Sequence, residues 1–169
     1  MPNRTYRLAV YVGLTVAVVI GVTVLVTPHF MFPPDGISVF WPTNGIVLGL
    51  LLILPAWSRR WTCLALLPAY YVAELLIGHP PVSSVGFVFA NSAEIILALL
   101  ILDRLGLAAE PFSGLRSLLY LLATLVVCSV TGGLMGTLTV AMTSEFHPVV
   151  YYRWSVADLV GHMMFLPRS

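Results

Sequence analysis

Charge is what this sequence has least of. Only 9% of its 169 residues are charged, against about 25% in an ordinary soluble domain. Lysine is absent, and the 8 basic residues, all arginine, stand against 7 acidic ones. No basic stripe is available for phosphate contacts, so nucleic acid is excluded as a partner. Cysteine is limited to Cys63 and Cys128, both inside apolar runs, and no disulfide framework is implied. What is present is apolar: 59% of residues are hydrophobic and the mean hydropathy is +0.98. These figures exclude a soluble enzyme and a disordered tail. They point to an all-α fold, a polytopic transmembrane helical bundle that forms one domain over residues 1–169 with the lipid bilayer as its solvent.

A spanning helix needs about 20 mostly apolar residues. Six runs qualify: Leu8 to Val26, Val39 to Trp57, Trp61 to Gly78, Val85 to Leu102, Leu118 to Met142 and Val149 to Leu166. Their length and their lack of period-two alternation favour helices over barrel strands. The first run reads as an uncleaved anchor, because Thr27-Pro28-His29-Phe30 is not a small-residue cleavage site. With the N-terminus in the cytoplasm, Arg4, Arg7, Arg59, Arg60, Arg104, Arg116 and Arg168 fall inside and only Arg153 falls outside. That bias satisfies the positive-inside rule and returns the C-terminus to the cytoplasm. The outer loops, Pro28 to Ser38, His79 to Ser84 and Thr143 to Pro148, are too short to fold as a sensor domain of their own. Pro33, Pro34, Gly36, Pro80, Pro81 and Pro111 punctuate the loops, and Pro148 suits the first turn of the sixth helix.

Ionisable residues within spans are costly and tend to face the bundle interior. Here they are Glu74, Glu94, Asp158 and His162, accompanied by Asn44 and Asn91. At 1.5 Å of rise per residue, Asn91 lies about 9 Å and Glu94 about 13 Å from the outer end of their helix. Asp158 has a similar depth, and Asn44 and Glu74 lie in the outer third of their helices. These residues can meet in one outward-facing polar pocket. Asn91 and Glu94 share a face at i, i+3, and Trp154, Asp158 and His162 form a stripe at i, i+4 and i, i+8. Trp41 and Trp154 sit where indole rings anchor helices at an interface.

Each position also has a plainer reading. Glu94 and Asp158 can be buried carboxyls hydrogen-bonded to Asn91 or a backbone carbonyl. Glu74 can reach interfacial water, His162 can be a packing residue, and Arg153 can snorkel to headgroups. His29, His79 and His147 fall in the three outer loops, yet their spacing matches no metal or haem motif. The Tyr70-Tyr71 and Tyr151-Tyr152 pairs read as interfacial belt. Gly45-x-x-x-Gly49 and Gly132-x-x-x-Gly136 are small-residue packing motifs, for contact within the chain or between protomers of a homodimer. No phosphate loop, metal-protease helix or nucleophile elbow occurs, so neither catalysis nor a cofactor is expected.

Three segments carry a family resemblance: Phe40-Trp41-Pro42-Thr43-Asn44-Gly45-Ile46, then Asn91-Ser92-Ala93-Glu94, then Trp154-Ser155-Val156-Ala157-Asp158-Leu159-Val160-Gly161 followed by Leu166-Pro167. In this order and spacing they resemble the first type of bacterial membrane-associated sensor domain, over roughly residues 36 to 167. The resemblance implies a multi-pass input module in the bacterial inner membrane. Its partner is a cytoplasmic histidine kinase or diguanylate cyclase module, in cis or in trans, within two-component or cyclic-di-GMP signalling. Family domains commonly continue with further spans and an output domain, so a chain closing at Ser169 reads as a truncated sensor or one acting by association. The ligand-binding residues expected on this basis are Trp41, Asn44, Asn91, Glu94, Trp154 and Asp158, around an unidentified small ligand or a proton. Two other classes fit the same residues, a proton- or solute-coupled transporter and a structural membrane subunit. Against transport, no inverted repeat or broken helix pair is visible.

Overall fold

Proline, glycine and helix length together explain how this chain is cut into elements. A computed structural model describes residues 2–26, 31–32, 37–38, 40–108, 112–142 and 148–165. Along the described chain run α1 (Pro2–Val26), the strands β1 (Met31–Phe32) and β2 (Ile37–Ser38), α2 (Pro42–Ile53), α3 (Ala56–Leu76), α4 (Pro81–Arg104), α5 (Leu115–Ala141) and α6 (Pro148–Phe165). The two strands form one antiparallel rung pair, Met31 opposite Ser38 and Phe32 opposite Ile37, within the stretch read above as an outer loop. Proline opens α2 and α4 in the first turn, where its missing N–H leaves no partner wanting. Pro148 opens α6 as its position suggested. Gly78 and Gly106 adopt φ of 94° and 69° immediately after α3 and α4. That left-handed backbone turns the chain and lets the Leu107 amide donate back to the Leu102 carbonyl at 2.8 Å.

α1, α3 and α4 begin four to six residues earlier than expected, at Pro2, Ala56 and Pro81, and one run is cut much shorter. The second was read as Val39 to Trp57, but α2 covers only Pro42–Ile53, 12 residues. Leu54 precedes Pro55 and is extended, with φ −77° and ψ 146°. A residue before proline is driven out of the helical region, and the proline itself cannot supply the next backbone donor. The resulting helix is about 18 Å long, well short of a hydrocarbon core of about 30 Å. Two helices, α4 and α5, are long and apolar enough to cross a membrane among the described residues.

The helices close into a ring. In the packing order α1–α3–α4–α5–α6–α2, each neighbour touches the next, α2 returns to α1, and α2 also reaches across to α4. The short helix is thus walled in by protein, where an early helix end is tolerated at membrane depth. Val16, Ile20 and Val24 face inward from α1 at helical spacing, and Val47, Leu48 and Leu51 of α2, Leu66 of α3, Ile95 and Leu102 of α4 and Leu125 of α5 complete the core. The outer faces are equally apolar: Tyr11, Leu14, Val18 and Val22 of α1 and Val126, Val127, Leu134 and Leu138 of α5 are all exposed. Meanwhile Asn44, Asn91, Glu94, Asp158 and His162 are wholly buried. Polar groups inside and large apolar side chains outside suit a lipid solvent.

Candidate functional site

The buried polar residues come together because close helix crossings allow it. Gly45 of α2 lies against the Gly161 carbonyl of α6, and Gly161 lies against the Trp41 carbonyl, so a Cβ at either position would collide with main chain. The Trp41 amide donates to the Ala157 carbonyl at 3.4 Å, tying the start of α2 to α6 beside Asp158. On the other side, a Cβ at Gly132 of α5 would lie 2.6 Å from Glu94 Oε2, and one at Gly136 would lie 2.7 Å from the Trp154 ring. The Gly132-x-x-x-Gly136 motif is therefore filled from within the chain. It makes room for a carboxylate and an indole, and is not left open for a second protomer.

Asn44 is the hub. Its Nδ2 donates to Glu94 Oε2 at 2.8 Å, to Asn91 Oδ1 at 3.0 Å and to Asp158 Oδ1 at 3.4 Å. Its Oδ1 accepts from the Tyr70 hydroxyl at 2.6 Å and from Trp41 Nε1 at 3.3 Å. One side chain thereby links α2, α3, α4 and α6. Asn91 Nδ2 is anchored on the Phe87 carbonyl one turn earlier, at 3.0 Å. His162 Nδ1 donates to the Asp158 carbonyl at 2.9 Å and lies 3.6 Å from Glu94 Oε1. Glu94 Oε1, Asp158 Oδ2, His162 Nε2 and Ser129 Oγ are buried without a hydrogen-bond partner.

A second polar pair caps the same end of the bundle. Glu74, 2% exposed, accepts from His79 Nδ1 at 2.6 Å, and His79 is one-third exposed. The His79 ring packs on Phe87 at 5.0 Å between centroids, and Phe87 packs on Trp154 at 5.4 Å. An aromatic column thus runs from the turn between α3 and α4 to the Asn44 cluster.

All six residues singled out from the sequence lie in or against this cluster. Asn44, Asn91, Glu94 and Asp158 form its hydrogen-bonded centre, Trp41 donates into it, and Trp154 meets it through its ring contacts with Phe87 and Gly136. The carboxyls bond to Asn44, where their plainer reading placed them on Asn91 or a backbone carbonyl. Tyr70 corrects another expectation. It is not an interfacial belt residue but is fully buried and donates to Asn44. Glu74 is likewise sealed against His79 rather than open to water. Tyr70, Ser129 and His162 join the centre without having been singled out as site residues, although His162 shares the stripe of Trp154 and Asp158. His29 and His147 lie outside the described residues, and no group of three or more metal-ligating side chains occurs among those described.

The segments that converge here, Trp41 to Gly45, Asn91 to Glu94 and Trp154 to Gly161, are those that carry the family resemblance. The family model MASE1 matches residues 10–168, nearly the whole chain. The chain belongs to the MASE1 family. MASE1 domains are membrane-associated sensor domains. No curated protein and no solved structure matches this chain. In this MASE1 domain the signature residues are thus contact residues of one interior network, and their spacing follows from the helix crossings at Gly45, Gly132 and Gly161.

Proposed function

We propose that the chain is the sensory input module of a bacterial signalling protein, embedded as a multi-pass bundle in the inner membrane with both termini cytoplasmic. It senses a small ligand or the state of the membrane through the Asn44 cluster. It passes that state to a kinase or cyclase module on the cytoplasmic side, in cis or in trans, and itself performs no catalysis. The observation that carries this reading is the hub: a single amide holds groups from α3, α4 and α6. Anything that changes the acceptor set of Asn44 changes the relation between those helices, and interior packing of this kind switches between discrete arrangements rather than bending continuously. A ligand shifts such an equilibrium only by its differential affinity for the two arrangements.

The test is output. The chain is joined to a diguanylate cyclase and cyclic-di-GMP is measured in cells carrying the wild-type, Glu94→Gln or Asp158→Asn forms at equal membrane abundance. The expected result is cyclase output locked at one level in both variants. Output indistinguishable from wild type in both variants rules out the cluster as the sensing element. Accumulation of labelled solute in proteoliposomes of the purified chain would instead favour a carrier.

A further inference from the structure

Two carboxyls and an amide oxygen crowd one donor group in the cluster. Asn44 Nδ2 carries two protons and faces three acceptors, on Asn91, Glu94 and Asp158. Tyr70 donates to Asn44 Oδ1, Asn91 Nδ2 to the Phe87 carbonyl and His162 Nδ1 to the Asp158 carbonyl, while the Ser129 hydroxyl lies beside Glu94 and the Trp154 side chain beside Asp158. Glu94 Oε1 and Asp158 Oδ2 are buried without a well-aligned hydrogen bond, and the two carboxyls lie within reach of each other. Both carboxyl side chains are 0% exposed.

Two buried carboxylates in such a place are electrostatically untenable. Burying one ion costs several kcal/mol even after relaxation. Carboxyls that share a site avoid carrying two charges by keeping a proton. The titratable groups that face the pair are Tyr70 from α3, with Glu74 behind it, Cys128 from α5 and His162 from α6. From α2 come only the neutral Asn44 and Trp41.

We propose that Glu94 and Asp158 hold one proton between them, and that this proton is the ligand of the sensory site. The inference deepens the sensor reading and rests on it. A proton lets one carboxyl donate to the other and removes one of the two charges. It also fits a site sealed on every side, which a solute could enter only after the helices part. When the proton leaves for water, two carboxylates remain around one amide. Their repulsion acts between α4 and α6, which are bridged by α2 and α5.

The test is pH-difference infrared spectroscopy of the full chain in lipid nanodiscs, with proton release followed in parallel. Wild type is expected to show a protonated-carboxyl stretch at neutral pH that is lost on alkalinisation, with release of one proton per chain. The Glu94→Gln/Asp158→Asn double variant loses that band, and Glu74→Gln keeps it. Should the double variant fail to insert, Glu94→Asp retains the acid and is expected to move the band. Absence of the band in wild type, or its loss in Glu74→Gln alone, overturns the shared proton and leaves the sensor reading intact. A band accompanied by cyclase output that is indifferent to external pH overturns the proton as ligand. The sensor reading itself fails only if cyclase output does not depend on the cluster, so the two failures are distinguishable.

Discussion

Asn44 has five polar partners. An interhelical hydrogen bond inside a bilayer is worth about 0.6 kcal/mol on average. Two Nδ2 protons and two bonds accepted at Oδ1 make four at once, about 2.4 kcal/mol, so Asn44→Leu is expected to lower unfolding stability in mixed micelles by about that much. Asn91→Ala, which removes one contact to the hub and one to a backbone carbonyl, is expected to cost roughly a third as much. Equal losses would show that the hub does not concentrate the interactions of the network. The central residues were legible because asparagine and carboxylates stand out in apolar runs and bilayers penalise them. Tyr70 was not, because a tyrosine near a span end looks the same whether its hydroxyl meets headgroups or a buried amide. Its role depends on α3 packing against the hub, which no spacing within α3 encodes.

Helix ends and helix crossings are set by a few residues each. Pro55 ends α2 early, and Arg59 repairs the end it makes. Arg59 Nε and Nη2 donate to the Leu54 and Leu52 carbonyls, both at 3.3 Å, and Nη1 pairs with Asp103 on α4 at 2.8 Å. One guanidinium thus clips α2, α3 and α4 together at the end opposite the His79 turn. Arg59→Ala should destabilise the bundle by about 2 kcal/mol, since charged hydrogen bonds to otherwise orphaned carbonyls are lost. Asp103→Asn should cost under about 1 kcal/mol, because Asp103 is nearly half exposed and such pairs contribute little. Equal costs would mean that the ion pair, not the carbonyl caps, makes the clip. The glycines divide in the same way. Gly132→Ala places a methyl against the Glu94 carboxylate and is expected to cost about 1–3 kcal/mol. Gly21→Ala meets nothing within 4 Å and should be neutral or stabilising. Denaturation of the two variants side by side checks the contrast. The sequence exposed the Gly-x-x-x-Gly pattern but not its occupant, because a glycine pair accepts a carboxylate and an indole from its own chain as readily as a partner helix. The early end of α2 was marked by Pro55, yet the apolar run continues through Ala56 and Trp57 and hid it.

At the scale of the whole molecule the chain is turned inside out relative to a soluble domain. Its costly polar groups are gathered at one interior point and its outer faces are left apolar. The helical class followed directly from composition, since long uncharged runs have few alternatives. The ring of helices closed by a short α2 did not, because which helices neighbour one another depends on contacts far apart in sequence. That ring puts the cluster between α4 and α6, whose C-terminal halves run on from Glu94 and Asp158. The most direct measurement is therefore the distance between spin labels at two exposed positions in those halves, Leu100 on α4 and Met163 on α6, in nanodiscs. The account expects two distance populations in the wild-type background, exchanging with pH, and one population in the background of Glu94→Gln with Asp158→Asn. A single distribution, identical in both backgrounds and at every pH, would contradict it.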